Sequence, residues 1–144
     1  MTKLIPLDAV ALENRSWTDI ERAHVDTVLK SYDALIGGAD STMVKDIYSP
    51  DYRDHASTVP GGDLDGLIGF VQGFAVQFPD TVIRMNRVFC DGDHVTVHTH
   101  GKRTLDMDWD EIMEIFRLKD GLIIEHWETI EPWALMRGEK EPGQ

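Results

Sequence analysis

Hydrophobic positions recur at helical spacing in the first half of the chain and alternate in the second half. From Thr18 the run "TDIERAHVDTVLKSYDALIGG" places Val25, Val28, Leu29, Tyr32, Leu35 and Ile36 on one stripe. Thr18-x-x-Glu21 forms a capping box at its start, and Gly37-Gly38 supplies a stop. A shorter helix follows in "DSTMVKDIYSP", with Met43, Val44, Ile47 and Tyr48 inward and Pro50 just beyond. The third is "GGDLDGLIGFVQGFAVQFPD", where Leu64, Leu67, Ile68, Val71, Ala75 and Phe78 share a face. Its glycines, Gly66, Gly69 and Gly73, each cost about 1 kcal/mol relative to alanine, which suggests close packing against a sheet.

Beyond Thr81 the period changes to two. "TVIRMNRVFC", "HVTVHTHGKR", "WDEIMEIFRL" and "LIIEHWETI" read as four consecutive strands. Asp91-Gly92 and Asp120-Gly121 have the composition of type I′ hairpin turns, and "TLDMD" (104–108) makes the remaining turn. The pattern predicts an α+β domain, with helices packed on a curved antiparallel meander, an arrangement that can leave a cone-shaped cavity between them. Residues 1–17 read as an N-terminal extension, 18–135 as a single domain and 136–144 as a tail. A two-residue loop at Asp120-Gly121 pairs Lys119 with Leu122. Continued without interruption, it pairs Ile115 with His126 and Met113 with Glu128. Met113, Ile115, His126 and Glu128 then share one face, and Glu114, Phe116, Glu125 and Trp127 the other.

Composition narrows the classes. The 144 residues carry a formal net charge of −12, from 26 acidic and 14 basic side chains. That balance, with no basic stripe, argues against nucleic acid or an anionic membrane as partner. Cys90 is the single cysteine, so no intrachain disulfide can form; in a strand it reads as a small buried hydrophobe. The opening "MTKLIPLDAVALE" lacks the charged and continuous apolar regions of a signal peptide. No apolar run reaches membrane-spanning length. The expected compartment is the cytoplasm.

The chemistry-bearing residues are histidines and carboxylates. His98 and His100 lie two apart on a strand and therefore on one face, together with His94 and Thr96. They admit three readings: a polar stripe facing water, a metal-chelating pair completed by His126 or Glu128, or proton-transfer groups in a semi-apolar pocket. Gly92 and the His98-x-His100 spacing match part of the first cupin motif. The glutamate expected after it is missing, and a helical first half does not suit a jelly roll. The expectation is that no tightly bound transition metal is needed. In the third reading Glu128, beside His126 on one strand, and His98 and His100 on a strand of the same sheet could together supply the acid–base set.

The motifs "DYRDH" (51–55), "PGG…GLIGFVQGF" (60–74), "FPDT" (78–81), "DGDHVTVHTHG" (91–101) and "EIFRLKDGLIIEHWETIEP" (114–132) occur in that order and spacing. In them the chain resembles SnoaL-like proteins of the nuclear transport factor 2-like superfamily, in particular the branch described as SnoaL-like aldol-condensation enzymes. The resemblance covers about residues 18–133. It implies a cone-shaped α+β barrel with a deep pocket, usually dimeric, in a superfamily that includes polyketide cyclases, isomerases, epoxide hydrolases and dehydratases. Many of these use carboxylate or histidine acid–base catalysis without metal or organic cofactor. The family's catalytic Asp of the last strand matches Glu128, one methylene longer. His98 and His100 stand where the epoxide hydrolases carry an Arg-x-Asp pair, so that mechanism is not expected. His55 matches the histidine of the Tyr-x-x-His motif, with Tyr52 as its tyrosine. The resulting expectation is a cofactor-independent enzyme on a small, largely apolar carbonyl compound. Glu128 is its base, His98 or His100 stabilises the oxyanion, and His126 and His55 orient the set. A non-catalytic ligand-binding dimer, or a metal-dependent enzyme using His98 and His100, is the alternative. A homodimer is expected through the outer sheet face, where Phe116 and Trp127 would meet a partner.

Overall fold

The computed structural model describes residues 3–5, 16–34 and 41–132. Leu35, Ile36, Gly37-Gly38 and the tail lie outside the described residues. Six strands form one sheet in the order β1-β3-β4-β5-β6-β2: β1 (Lys3–Ile5), β2 (Tyr48–Asp54), β3 (Val82–Asp91), β4 (His94–Lys102), β5 (Asp110–Lys119) and β6 (Leu122–Pro132). The four strands from β3 to β6 form the antiparallel meander expected from the alternation. The two outermost strands pair in parallel, β1 with β3 and β2 with β6, so the sheet is mixed and not wholly antiparallel.

Among the described residues three α-helices accompany the sheet: α1 (Asp19–Tyr32), α2 (Ser41–Ile47) and α3 (Leu64–Gln77). The capping box of α1 is formed as the sequence predicts. Thr18 Oγ1 accepts from the Glu21 amide at 3.1 Å, and Glu21 Oε1 accepts from the Thr18 amide at 3.1 Å. The other oxygen of Glu21 accepts from the Gly92 amide at 3.0 Å, tying the helix start to the β3–β4 hairpin. Val25, Val28 and Tyr32 of α1 enter the core with Val71, Val88, Val95, Val97, Phe116 and Ile123.

Tyr48 belongs to β2 and not to the preceding helix, which ends at Ile47. A strand containing Pro50 cannot donate a full ladder of hydrogen bonds, and β2 accordingly occupies a sheet edge. The glycines of α3 do not serve close packing on the sheet. A Cβ at Gly66 would meet the Pro60 carbonyl oxygen at 1.8 Å, a contact with the preceding loop, while Gly69 and Gly73 face open space.

The hairpins fix what faces inward. Asp120 and Gly121 both have positive φ, as a type I′ turn requires. In the first hairpin Asp91 pairs with His94, so the loop is Gly92-Asp93. Only Gly92 has positive φ, the pattern of a type II′ turn. Lys119 pairs with Leu122, as expected, but a bulge intervenes before Arg117 pairs with Glu125. The register beyond it moves by one residue. Phe116 therefore opposes His126, and Glu114 opposes Glu128. This corrects the uninterrupted register: Met113 and Ile115 are exposed, whereas Phe116 is buried on the helix-covered face beside Glu114, His126 and Glu128.

Candidate active site

A cavity of about 490 Å³ opens on the concave side of the sheet. Phe70, Phe74 and Phe78 of α3 and its C-terminal cap form one wall, with ring centroids 5.8 Å and 5.1 Å apart along the ladder. Ile83, Ile112 and Ile130 come from the strands. Gly101 belongs here for a steric reason: a Cβ on it would press on Ile83 and Ile112 at 2.9 and 3.0 Å. Lys102, Arg103 and Asp110 also line it. Burial holds the Asp110 carboxyl above the usual carboxylate range, with Arg103 pulling the other way.

Tyr32, Glu114 and Glu128 are shared between this cavity and a smaller chamber of about 100 Å³, whose walls include Tyr48, Tyr52, Asp54 and His126. The parallel pairing of β2 with β6 sets Asp54 opposite His126, so their side chains meet. His126 Nδ1 donates to Asp54 Oδ1 at 3.1 Å and Nε2 donates to Glu114 Oε1 at 3.0 Å. Asp54 also accepts from the Tyr52 hydroxyl at 2.5 Å and the Ala56 amide at 2.8 Å. Tyr32 donates its hydroxyl proton to the other oxygen of Glu114. The chain of contacts thus runs Tyr52–Asp54–His126–Glu114, with Glu128 against its end.

The electrostatics follow from this order. Burial works against a charged His126, but the hydrogen bonds and charges of Asp54 and Glu114 outweigh it and push the imidazole up to about 10. His126 is an imidazolium at neutral pH. Burial also raises Asp54, yet its bonds from His126, Tyr52 and Ala56 leave it below the usual range. Glu128 is different. Burial and the neighbouring charge of Glu114 push its carboxyl up to about 7, against the pull of His126. One group of the site therefore exchanges a proton near neutral pH, and it borders the larger cavity.

The sequence-derived candidates divide between the two sides of the sheet. Glu128 and His126 come together in the pocket. His98, His100 and His55 do not join them. On β4 the residues Val95, Val97, Thr99 and Gly101 are buried or line the cavity, so alternation sends His98 and His100 to the outer face. The expectation that this pair lines the pocket is thereby corrected. His98 Nδ1 accepts from Arg87 Nη1 at 2.9 Å, since a guanidinium can only donate. Its Nε2–H then donates to Glu111 Oε1 at 2.7 Å, and His100 Nε2 stands 3.5 Å from the same oxygen. Burial holds His100 below its ordinary value. His55 follows the last residue of β2, pairs with Glu125 at 2.7 Å and stacks on Trp127 with centroids 5.0 Å apart. Its side chain is not among those lining either cavity.

Among the described residues two sets could geometrically hold a metal ion: His98, His100 and Glu111 outside, and Glu114, His126 and Glu128 within. In each, donor atoms lie within 4.8 Å of one another. Both are organised as proton-bearing networks. Arg87 keeps the His98 proton on the nitrogen a metal would need, and both nitrogens of His126 donate to carboxylates. Cys90 is partly buried, and burial with nearby acidic groups pushes its thiol up to about 11, away from nucleophilic use.

The sequence reading set Glu114 on the face opposite Glu128 and gave Asp54 and Tyr32 no part in the site. Glu114 carried a usable signal. Arg117 and Lys119 alternate with Phe116 and Leu118, which marks the Glu114–Phe116–Leu118 face of β5 as inward. That contradicts the uninterrupted hairpin register, and the contradiction itself is the mark of a bulge. Asp54 and Tyr32 carried no such signal, because their roles depend on β2 joining the sheet edge and on where α1 packs.

The chain belongs to the SnoaL-like domain family, whose model matches residues 28–126. Among solved structures, it is similar to one described as a candidate SnoaL-like polyketide cyclase from Jannaschia sp. CCS1. The two are 21% identical, with 90% of this chain and 99% of that one covered and a TM-score of 0.70. IdmH, described as a candidate polyketide cyclase from Streptomyces antibioticus, is 22% identical over 78% of this chain and 95% of its own, with a TM-score of 0.63. A candidate polyketide cyclase from Bacillus cereus ATCC 10987 is 20% identical over 94% and 87%, with a TM-score of 0.67. At such identities the likeness establishes the fold. No curated protein matches the chain.

Proposed function

We propose that the protein is an acid–base enzyme acting on a small, largely apolar carbonyl compound, with Glu128 as the general base. One observation carries this reading. A carboxyl with a pKa of about 7 borders a cavity of about 490 Å³ walled mainly by aromatic and aliphatic side chains. Ionised Glu128 removes a proton from the carbon next to the carbonyl, and the electron pair moves to the carbonyl oxygen as an enolate. Return of the proton to another carbon gives an isomer, and departure of a hydroxyl as water gives a dehydrated product. Attack of the enolate carbon on a second carbonyl gives an aldol ring. Each route moves only protons and carbon–carbon or carbon–oxygen bonds, so none calls for a redox cofactor. His126 and Asp54 act behind Glu114, holding it in place beside the base. The family's association with polyketide cyclases in the similar structures agrees with this chemistry.

The test is exchange of α-protons for deuterium in small apolar ketones, followed by NMR in heavy water. The protein should catalyse the exchange, and Glu128→Gln, which keeps the shape and removes the proton acceptor, should slow it about 100-fold or more while remaining folded. Ketones that bind tightly without any exchange would instead mark a ligand-binding protein.

A further inference from the structure

The smaller chamber has a different character from the cavity it adjoins. The two share Tyr32, Thr58, Phe70, Val71, Glu114 and Glu128, so a molecule reaching Glu128 from the larger cavity is at the chamber's boundary. The chamber's volume is about 100 Å³. That exceeds the roughly 10–15 Å³ that one water needs, and it is too little for a fused ring system. Its walls carry the hydroxyls of Tyr48 and Tyr52, and burial raises both phenols far above their ordinary value, so both keep their protons. Its charges are unbalanced. Asp54 and Glu114 flank a single imidazolium, His126, and Glu128 adds a third carboxyl.

We propose that this chamber is the subsite for the neutral, oxygen-bearing end of the substrate, a group about the size of acetyl, and that it rejects carboxylates. The reasoning rests on the functional reading above and deepens it by naming which end of the substrate lies inward. A ketone or hydroxyl oxygen finds the Tyr48 hydroxyl as its donor there, the Tyr52 proton being held by Asp54, and it brings its neighbouring carbon to Glu128. At pH 8 an anion of the same size meets three carboxylates, Asp54, Glu114 and Glu128, against one cation, in a buried site where like charges interact strongly. The rest of the substrate, flat and apolar, then lies in the larger cavity along Phe70, Phe74 and Phe78.

A matched pair of probes tests this: 2-acetylnaphthalene and 2-naphthoate, which share a ring system and differ in the end group. Their affinities for the wild-type protein are measured by calorimetry at pH 8. The ketone should bind at least tenfold more tightly. Intermolecular Overhauser contacts should run from its methyl group to the rings of Tyr48 and Tyr52, and from its naphthalene protons to Phe74 and Phe78. A preference below tenfold, no detectable binding of the ketone, or methyl contacts confined to the Phe78 end would each overturn the proposal. The outcome is separable from that of the catalytic reading. A ketone bound methyl-inward whose methyl protons never exchange with deuterium upholds the subsite and removes the catalysis. Exchange from a ketone bound methyl-outward does the reverse.

Discussion

At the scale of single residues, Glu128 and His126 have opposite linkages to stability. A carboxyl whose pKa is higher in the folded state holds its proton more tightly there. Glu128 therefore costs stability increasingly as pH rises from about 4.5 to about 7, and the full cost is present above that. His126, raised from 6.5 to about 10, contributes stability that is complete below pH 6.5 and is lost as pH climbs toward 10. The Glu128 shift corresponds to about 3 kcal/mol, from about 1.4 kcal/mol per pKa unit. Glu128→Gln should accordingly melt higher than the wild type at pH 8, by at least about 3 °C, and the difference should vanish as the pH falls below about 4. Scanning calorimetry at the two pH values checks this. A variant less stable at both would show that the carboxylate supports the fold. His126 and Glu128 were legible as a pair because they stand two apart on one strand. Their partners were less so: the alternation of β5 turns Glu114 inward but does not set it opposite Glu128, and Asp54 reaches His126 only through a cross-strand pairing, which sequence spacing does not encode.

At the scale of elements, the three helices and the four meander strands follow from local patterns, and each appears where expected, the predicted stop of α1 at Gly37-Gly38 lying outside the described residues. Capping, periodicity and the two Gly-containing turns are properties of neighbouring residues. Two features are not local. The edge strands β1 and β2 are defined by parallel pairing with β3 and β6, and β2 carries Pro50 and a run of polar residues that hides it. The bulge between Arg117/Leu118 and Glu125/Ile123 changes which face of β6 opposes which face of β5. One extra residue exchanges Met113 and Ile115 for Glu114 and Phe116 on the helix-covered side, and so replaces an apolar neighbour of Glu128 with the carboxylate that raises it. The histidines of β4 show the converse. Their common face was legible, but whether it turned toward the helices depended on Val95 and Val97, the more apolar half of the same alternation.

At the scale of the whole molecule, the sheet has one side covered by helices and another that carries Phe89, Met113 and Ile115, each at least 39% exposed, around Trp127. Phe116 is not part of that patch. We propose that a second copy of the chain covers it, as the family resemblance implies, because these large apolar side chains would otherwise stand in water. Sedimentation at micromolar concentration should give a dimer, and Met113→Lys with Ile115→Lys should give a folded monomer; a wild-type monomer would contradict the proposal. Among the described residues no helix is long and apolar enough to cross a membrane. The molecule's central feature remains the carboxyl at the boundary of its two cavities, and titrating it tests the account most directly. In protein labelled with carbon-13 at the glutamate carboxyls, with Glu128→Gln identifying the resonance, the Glu128 signal should titrate with a midpoint near 7. A midpoint near 4.5, the value of an ordinary glutamate, would contradict the assignment of Glu128 as a base poised for neutral pH.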